Sequence, residues 1–254
     1  MSEKETLTPQ TTDFLSLVRK WQERALALRP PVAKGFAEDL QRRPPMGDLH
    51  GPAFFPEGLG LIDNSTAEVP GIVIVGHNFG CVTYRQGLSY GEEHGRTWLG
   101  LKWLFQKAEV PFVSCYLTNW FIGLLPGDKQ EGPFLLEPDN DYENACVELL
   151  LEQLTAIRPR ILLLLGRHVV QRAHVIMPRL TNWSAATTWT EIDLALDPVQ
   201  YNVPIILTDG STLSLTVVAL LHPARNAGNQ RFRRTRYQTK IPEAAMLSQA
   251  WLHV

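Results

Sequence analysis

Little in this 254-residue sequence would staple or anchor a chain. It has three cysteines, Cys81, Cys115 and Cys146, far apart and without a CxxC pair. That odd, scattered set argues against a disulfide framework and against a zinc or iron-sulfur site legible in the sequence. No apolar run is long enough to span a bilayer, and the opening MSEKETLTPQTTD lacks the apolar core of a secretory leader. No membrane partner and a cytoplasmic location are therefore expected. Charge of one sign is not in excess either: 24 Lys and Arg stand against 26 Asp and Glu, a formal net charge of -2. With no global basic field, any nucleic-acid contact must come from a local patch. The phosphate-cradling pattern GxxxxGKS/T is missing, as is GxGxxG after the first strand, which disfavours nucleotidases and dinucleotide enzymes. Histidines are available at His50, His77, His94, His168, His174 and His222, but no HxH or HExxH spacing gathers them. A metal-dependent hydrolase is thus the enzymatic rival to the reading below, which needs neither metal nor cofactor.

The elements that are present alternate. Thr12-Asp13 can cap a helix in which Phe14, Leu17, Val18, Trp21 and Ala25 recur at helical spacing. Residues 29 to 70 are rich in Pro and Gly and predict irregular backbone wrapping a core. GIVIVG (71 to 76) reads as a strand buried on both faces. A helix is predicted over 92 to 107, a strand over 112 to 117, a helix over 141 to 157, and the most apolar strand, ILLLL, over 161 to 165. A helix near 167 to 177 follows. Two arms, 205 to 207 and 213 to 221, then flank Asp209-Gly210, a dipeptide suited to a hairpin turn. Alternating strands and helices imply an α/β three-layer sandwich around a central, mostly parallel four-stranded sheet, since each crossover helix must pack back on the sheet. No linker divides the chain, so residues 1 to 254 are expected to form one domain, and a monomer is expected.

In such sheets ligands bind beyond the carboxyl ends of the strands. Those ends carry GHNFG (76 to 80), TNW (118 to 120) and HPARN (222 to 226). Asn78 and Asn119 as turn caps, and His222 as a hydrogen-bonded loop histidine, are the structural alternative. Three such ends converge in space, however, and Gly76 and Gly80 would let a ligand approach the backbone.

GHNFG resembles the first motif of the uracil-DNA glycosylase superfamily in its GINPG and GMNPG forms, and HPARN resembles the HPSPRN-type second motif. LSYG (88 to 91) is similar to the VPFG that follows the first motif in the single-strand-selective branch. YLTNW resembles the strand-end segment whose asparagine reads the base edge, and LLLLGRHVVQRA resembles a strand and helix of the iron-sulfur branch, whose cysteine ligands are absent here. The resemblance runs in order from Gly71 to Asn226. It departs at Phe79, where the family has proline, and at Gly80, where the strict uracil-removing branch has a tyrosine that collides with substituents on carbon 5 of the pyrimidine.

The resemblance implies a uracil-DNA glycosylase-like fold and a DNA glycosylase that flips a base out of DNA and hydrolyses its bond to the sugar. Asn78 would hold the attacking water, and His222 would donate a hydrogen bond to the departing base. Gly76, His77, Phe79, Gly80, Tyr90 and Asn119 would form the base pocket, with Tyr90 as stacking face and Asn119 as reader of the Watson-Crick edge. Arg225 and Asn226 sit where the family places its wedge, and Arg231, Arg233 and Arg234 within NQRFRRTRYQTK would supply phosphate contacts to DNA, the expected partner. No lysine occupies a motif position, so a monofunctional enzyme leaving an abasic site is expected. Gly80 implies room for a 5-modified pyrimidine, with glucosylated hydroxymethylcytosine of phage DNA as the candidate and antiviral defence as the role. Uracil removal in base-excision repair, and a non-catalytic module that binds modified DNA, are the alternatives.

Overall fold

The computed structural model describes residues 9–28, 51–54, 71–78, 96–112, 115–123, 140–223 and 230–254. Its elements are α1 (Pro9–Ala27), β1 (Gly51–Phe54), β2 (Ile72–Gly76), α2 (Arg96–Ala108), β3 (Cys115–Asn119), α3 (Asn140–Ile157), β4 (Ile161–Leu165), α4 (Arg167–Arg172), α5 (Trp189–Ala195), β5 (Val199–Ile206), β6 (Thr212–Leu220), α6 (Gln230–Tyr237) and α7 (Pro242–His253). Two 3-10 turns, Ala173–Val175 and Pro178–Trp183, lie between α4 and α5.

The six strands form one sheet in the order β1-β3-β2-β4-β6-β5. Its central four, β3, β2, β4 and β6, are all parallel, as the alternation of elements predicts. The count of four is corrected to six by the two edges. β1 arises inside the Pro/Gly-rich stretch expected to be irregular and pairs parallel with β3, Ala53 opposite Leu117. Pro52 is tolerated there because an edge strand leaves one row of backbone groups unpaired. β5 is longer than the short arm read from the sequence and pairs antiparallel with β6 across the Asp209-Gly210 turn, where Gly210 takes a φ of 78° that favours glycine.

Side chains alternate across this sheet into two cores. Val73, Val75, Tyr116, Leu162, Leu164, Val217 and Ala219 face a layer that includes Trp21 of α1, Leu150 of α3, Trp183 of the 3-10 turn Pro178–Trp183 and Ile192 of α5. Ile72, Ile74, Leu117, Leu163, Leu165, Val218 and Leu220 face Leu104 and Phe105 of α2 and Met246 and Leu247 of α7. Being covered on both faces is why β4 is apolar at every position. Each of its five side chains contributes roughly 1.5–3 kcal/mol by burial.

Three boundaries differ from the sequence reading. α1 begins at Pro9 rather than after Thr12-Asp13, consistent with the fixed φ of proline in a first helical turn. β3 (Cys115–Asn119) runs on past 117 to Asn119, because its parallel ladder with β2 continues to Gly76 opposite Asn119. The helix after β4 stops at Arg172 and tightens into the 3-10 turn Ala173–Val175.

Candidate active site

The parallel strands β3, β2, β4 and β6 all end at one edge, which there carries Asn119, then Gly76-His77-Asn78, then Gly166-Arg167-His168, then His222-Pro223. β4 separates β2 from β6, so strand spacing sets the ends of the two strands that lead to Asn78 and His222 about 10 Å apart, on either side of β4. Gly166 occupies that position with φ 90°, and a Cβ there would stand 3.7 Å from the Cβ of His222. The absence of a Cβ at Gly166 lets the His222 side chain pack close to the end of β4.

Close approach fixes both flanks. A Cβ on Gly76 would lie 2.3 Å from Oδ1 of Asn119, so the Asn119 carboxamide lies directly over the glycine and any side chain would push it away. A Cβ on Gly100 of α2 would come within 2.6 Å of the Pro223 Cβ, so this helix seats the turn that carries His222. Beyond the ladder the β2 and β3 exits stay tied: Trp120 N–H donates to the Gly76 carbonyl (2.8 Å) and Phe121 N–H to the His77 carbonyl (2.9 Å).

His77 is the most constrained polar group at this edge. Its ring stacks on His168 (centroids 5.0 Å, interplanar 27°) and meets Phe121 edge-on (5.5 Å, 82°). Burial, reinforced by the positive fields of His168, Arg172 and His222, lowers its pKa from 6.5 to about 3 against a side-chain hydrogen bond with Asn78 that raises it. The imidazole is thus neutral at physiological pH. Arg172 stands 5.1 Å over the Phe121 ring and donates through Nε to Glu143 (3.1 Å), a carboxylate that also accepts from Trp120 Nε1 (3.1 Å).

Of the residues singled out in the sequence, Gly76, His77, Asn78, Asn119 and His222 come together at this edge. Phe79, Gly80, Tyr90, Arg225 and Asn226 lie outside the described residues. Arg231 and Arg234 are exposed on α6. Arg233 is a correction: its guanidinium is fully buried, bound to Asp193 by two bonds of 2.7 Å and to Glu243 at 3.2 Å, and it stands 4.7 Å over the Trp189 ring. Held by two carboxylates away from solvent, it is not available to a phosphate. Gly166, His168, Arg172, Phe121 and Gly100 complete the site and were not assigned to it from the sequence. Of these only Gly166 had a visible signal, a glycine directly after the most apolar strand.

Two nucleophiles are excluded among the described residues. Burial pushes the Cys115 thiol up, and that of Cys146 up to about 11, so neither offers a thiolate. No group of three or more His, Cys, Asp or Glu side chains is arranged to hold a metal ion among the described residues. No described helix is long and apolar enough to cross a membrane.

The family model described as the uracil DNA glycosylase superfamily matches residues 64–244, a span that contains GHNFG, the β4 exit and HPARN. No curated protein matches the chain.

Proposed function

Because the chain belongs to the uracil DNA glycosylase superfamily, we propose that it is a monofunctional DNA glycosylase acting on a 5-modified pyrimidine and that its strand-end groups divide the reaction between them. Superfamily membership supports the coarser statement, that the chain hydrolyses N-glycosidic bonds in DNA. The division of labour rests on one observation: β2 and β6 deliver Asn78 and His222 to the same sheet edge, with His222 seated against Gly166 at the end of β4 between them.

Breaking the bond between base and sugar builds positive charge on the sugar and negative charge on the base, and it needs a water at the anomeric carbon. Asn78 orients that water through its carboxamide oxygen. A carboxamide is a weak base, but an oxocarbenium-like centre needs little deprotonation of a water already in place. His222 donates to the carbonyl oxygen of the departing base. Among the described residues, the charged or titratable neighbours that act on His77 are His168, Arg172 and His222. No carboxylate is among these described neighbours to oppose charge on a departing anion. Asn119, pinned over Gly76, presents donor and acceptor to the Watson-Crick edge of a flipped base. No lysine stands at a motif position, so the product is an intact strand with an abasic site.

The preference for a 5-modified pyrimidine rests on Gly80 in place of the tyrosine that excludes 5-substituents, with glucosylated hydroxymethylcytosine of phage DNA as the candidate substrate. Phe79 and Tyr90 would line the same pocket. DNA is held by Arg231 and Arg234 of α6 together with Arg225 and Asn226 of the HPARN motif.

The test is a panel of oligonucleotides and phage DNAs carrying uracil, cytosine and 5-modified pyrimidines, incubated with protein and then treated with alkali. Strand breaks confined to modified pyrimidines support the proposal. Breaks only at uracil replace it with base-excision repair. DNA binding without any alkali-labile product points to a non-catalytic module and overturns the enzymatic reading.

A further inference from the structure

We propose that His77 is a positioning residue whose wedged ring holds the Asn78 carboxamide with its oxygen toward the attacking water. The inference rests on the role given to Asn78 above. It concerns a residue that touches neither base nor sugar in that role.

The need for such a residue follows from the chemistry of asparagine. The terminal torsion of a carboxamide is broad and roughly two-fold, so an unrestrained Asn78 would offer water its nitrogen as readily as its oxygen. Only the oxygen can accept the proton of a water that is to attack carbon. A donor on one lone pair of that oxygen leaves the other lone pair for the water. His77 hydrogen-bonds the Asn78 side chain in the sense that favours a ring N–H donating to it.

The ring is held by its surroundings. His168 of α4 stacks on one face, and Phe121 meets it edge-on while its own N–H is bonded to the His77 carbonyl. Phe121 is fixed in turn by the parallel ring of Tyr142 (6.5 Å, 6°) and by Arg172, which Glu143 restrains. A chain of contacts thus runs from α3 through Glu143, Arg172 and Phe121 to His77 and Asn78.

The groups facing the ring also decide its charge. Burial first of all, then His168 and Arg172 from α4 and His222 from beyond β6, keep it neutral at physiological pH, against the opposing bond to Asn78. Neutrality suits the position: a cation here would oppose the positive charge developing on the sugar, whereas on the His222 side, beside the departing base, positive potential helps.

The experiment compares His77→Phe, which keeps a ring but loses the N–H, with His77→Gln, which restores a donor, in the wild-type and Asn78→Ala backgrounds. With a DNA that the wild type cleaves, His77→Phe is expected to lower kcat about 10- to 100-fold with KM within about twofold, and His77→Gln to recover part of the loss. In the Asn78→Ala background His77→Phe is expected to cost nothing further. An equal loss in both backgrounds, or none in either, overturns the inference. A wild-type protein that cleaves no DNA refutes the glycosylase reading instead. Nitrogen-15 resonances then test the positioning alone: the side-chain amide of Asn78 should shift in His77→Phe, and an unshifted amide contradicts the contact.

Discussion

Arg233 and His77 are both enclosed by the fold, and the surroundings of each show what it is for. Arg233 of α6 is matched by two carboxylates, Asp193 of α5 and Glu243 of α7, and its hydrogen-bonding fork is used on them. Charge there is compensated and tied to three helices, which is the arrangement of a structural clamp. At the carboxyl edge of the sheet, His77 is instead buried beside His168, Arg172 and His222, with no carboxylate among the described residues acting on it, and burial above all drives its proton off. A perturbation left uncompensated by the fold marks a candidate for a functional task, here the positioning of Asn78 proposed above.

Breaking the clamp gives the largest expected effect. Arg233→Met leaves Asp193 and Glu243 buried without their partner and is expected to lower stability by about 3–5 kcal/mol, measured by urea unfolding. Adding Asp193→Leu and Glu243→Met should recover much of that loss, since the penalty comes from unpaired charge. Failure to recover would mean that the clamp also holds α6 in ways its charges do not explain.

Breaking the edge has the opposite signature. Asn78→Ala and His222→Ala should each leave the unfolding midpoint nearly unchanged while lowering kcat about 100- to 1,000-fold, the cost of losing one preorganised group. An intermediate case sharpens the contrast: Gly76→Ala places a Cβ 2.3 Å from Asn119 Oδ1 and should cost about 1–3 kcal/mol of stability as well as discrimination between pyrimidines. A variant that keeps discrimination would show that Asn119 does not read the base.

How far this contrast could be read from the sequence depends on what each part needs. ILLLL was legible to the residue because a strand covered on both faces needs an unbroken apolar run, and the Asp209-Gly210 turn because its geometry demands a glycine. β1 was hidden: a four-residue edge strand containing Pro52 has neither run nor alternation. At the site, Gly76, Asn78, Asn119 and His222 stood out because they end strands. The grouping of His168, Arg172 and Phe121 with His77 depends on β3 and β4 flanking β2, with α4 following β4, which no local pattern records. Arg233 could not be told from its exposed neighbours for the same reason. Its spacing in RFRRTR suggests a basic helix face, and only the packing of α5 and α7 turns that one side chain inward.

Smaller effects separate the two clusters further. An unfolded histidine titrates near 6.5 and folded His77 at about 3. Below pH 6.5 the unfolded chain takes up a proton that the folded state refuses, so the stability tied to the neutral ring is complete above pH 6.5 and is lost as the pH falls toward 3, by at most about 1.4 kcal/mol per pH unit. Thermal unfolding of His77→Phe should show a shallower acid limb than the wild type, and an identical limb would place the titration elsewhere. Smallest of all, Arg231→Ala on the exposed side of α6 should reduce the slope of log affinity for DNA against log salt by about 1 without altering which base is cleaved.

The central claim is tested most directly by counting products. Wild-type protein incubated with DNA of mixed pyrimidine content should release one free modified pyrimidine, seen by mass spectrometry, for each alkali-labile site formed, and Asn78→Ala should release at least about 100-fold less at equal DNA binding. Wild-type release matched by Asn78→Ala, or tight binding with no free base from either protein, would contradict the catalytic edge described here.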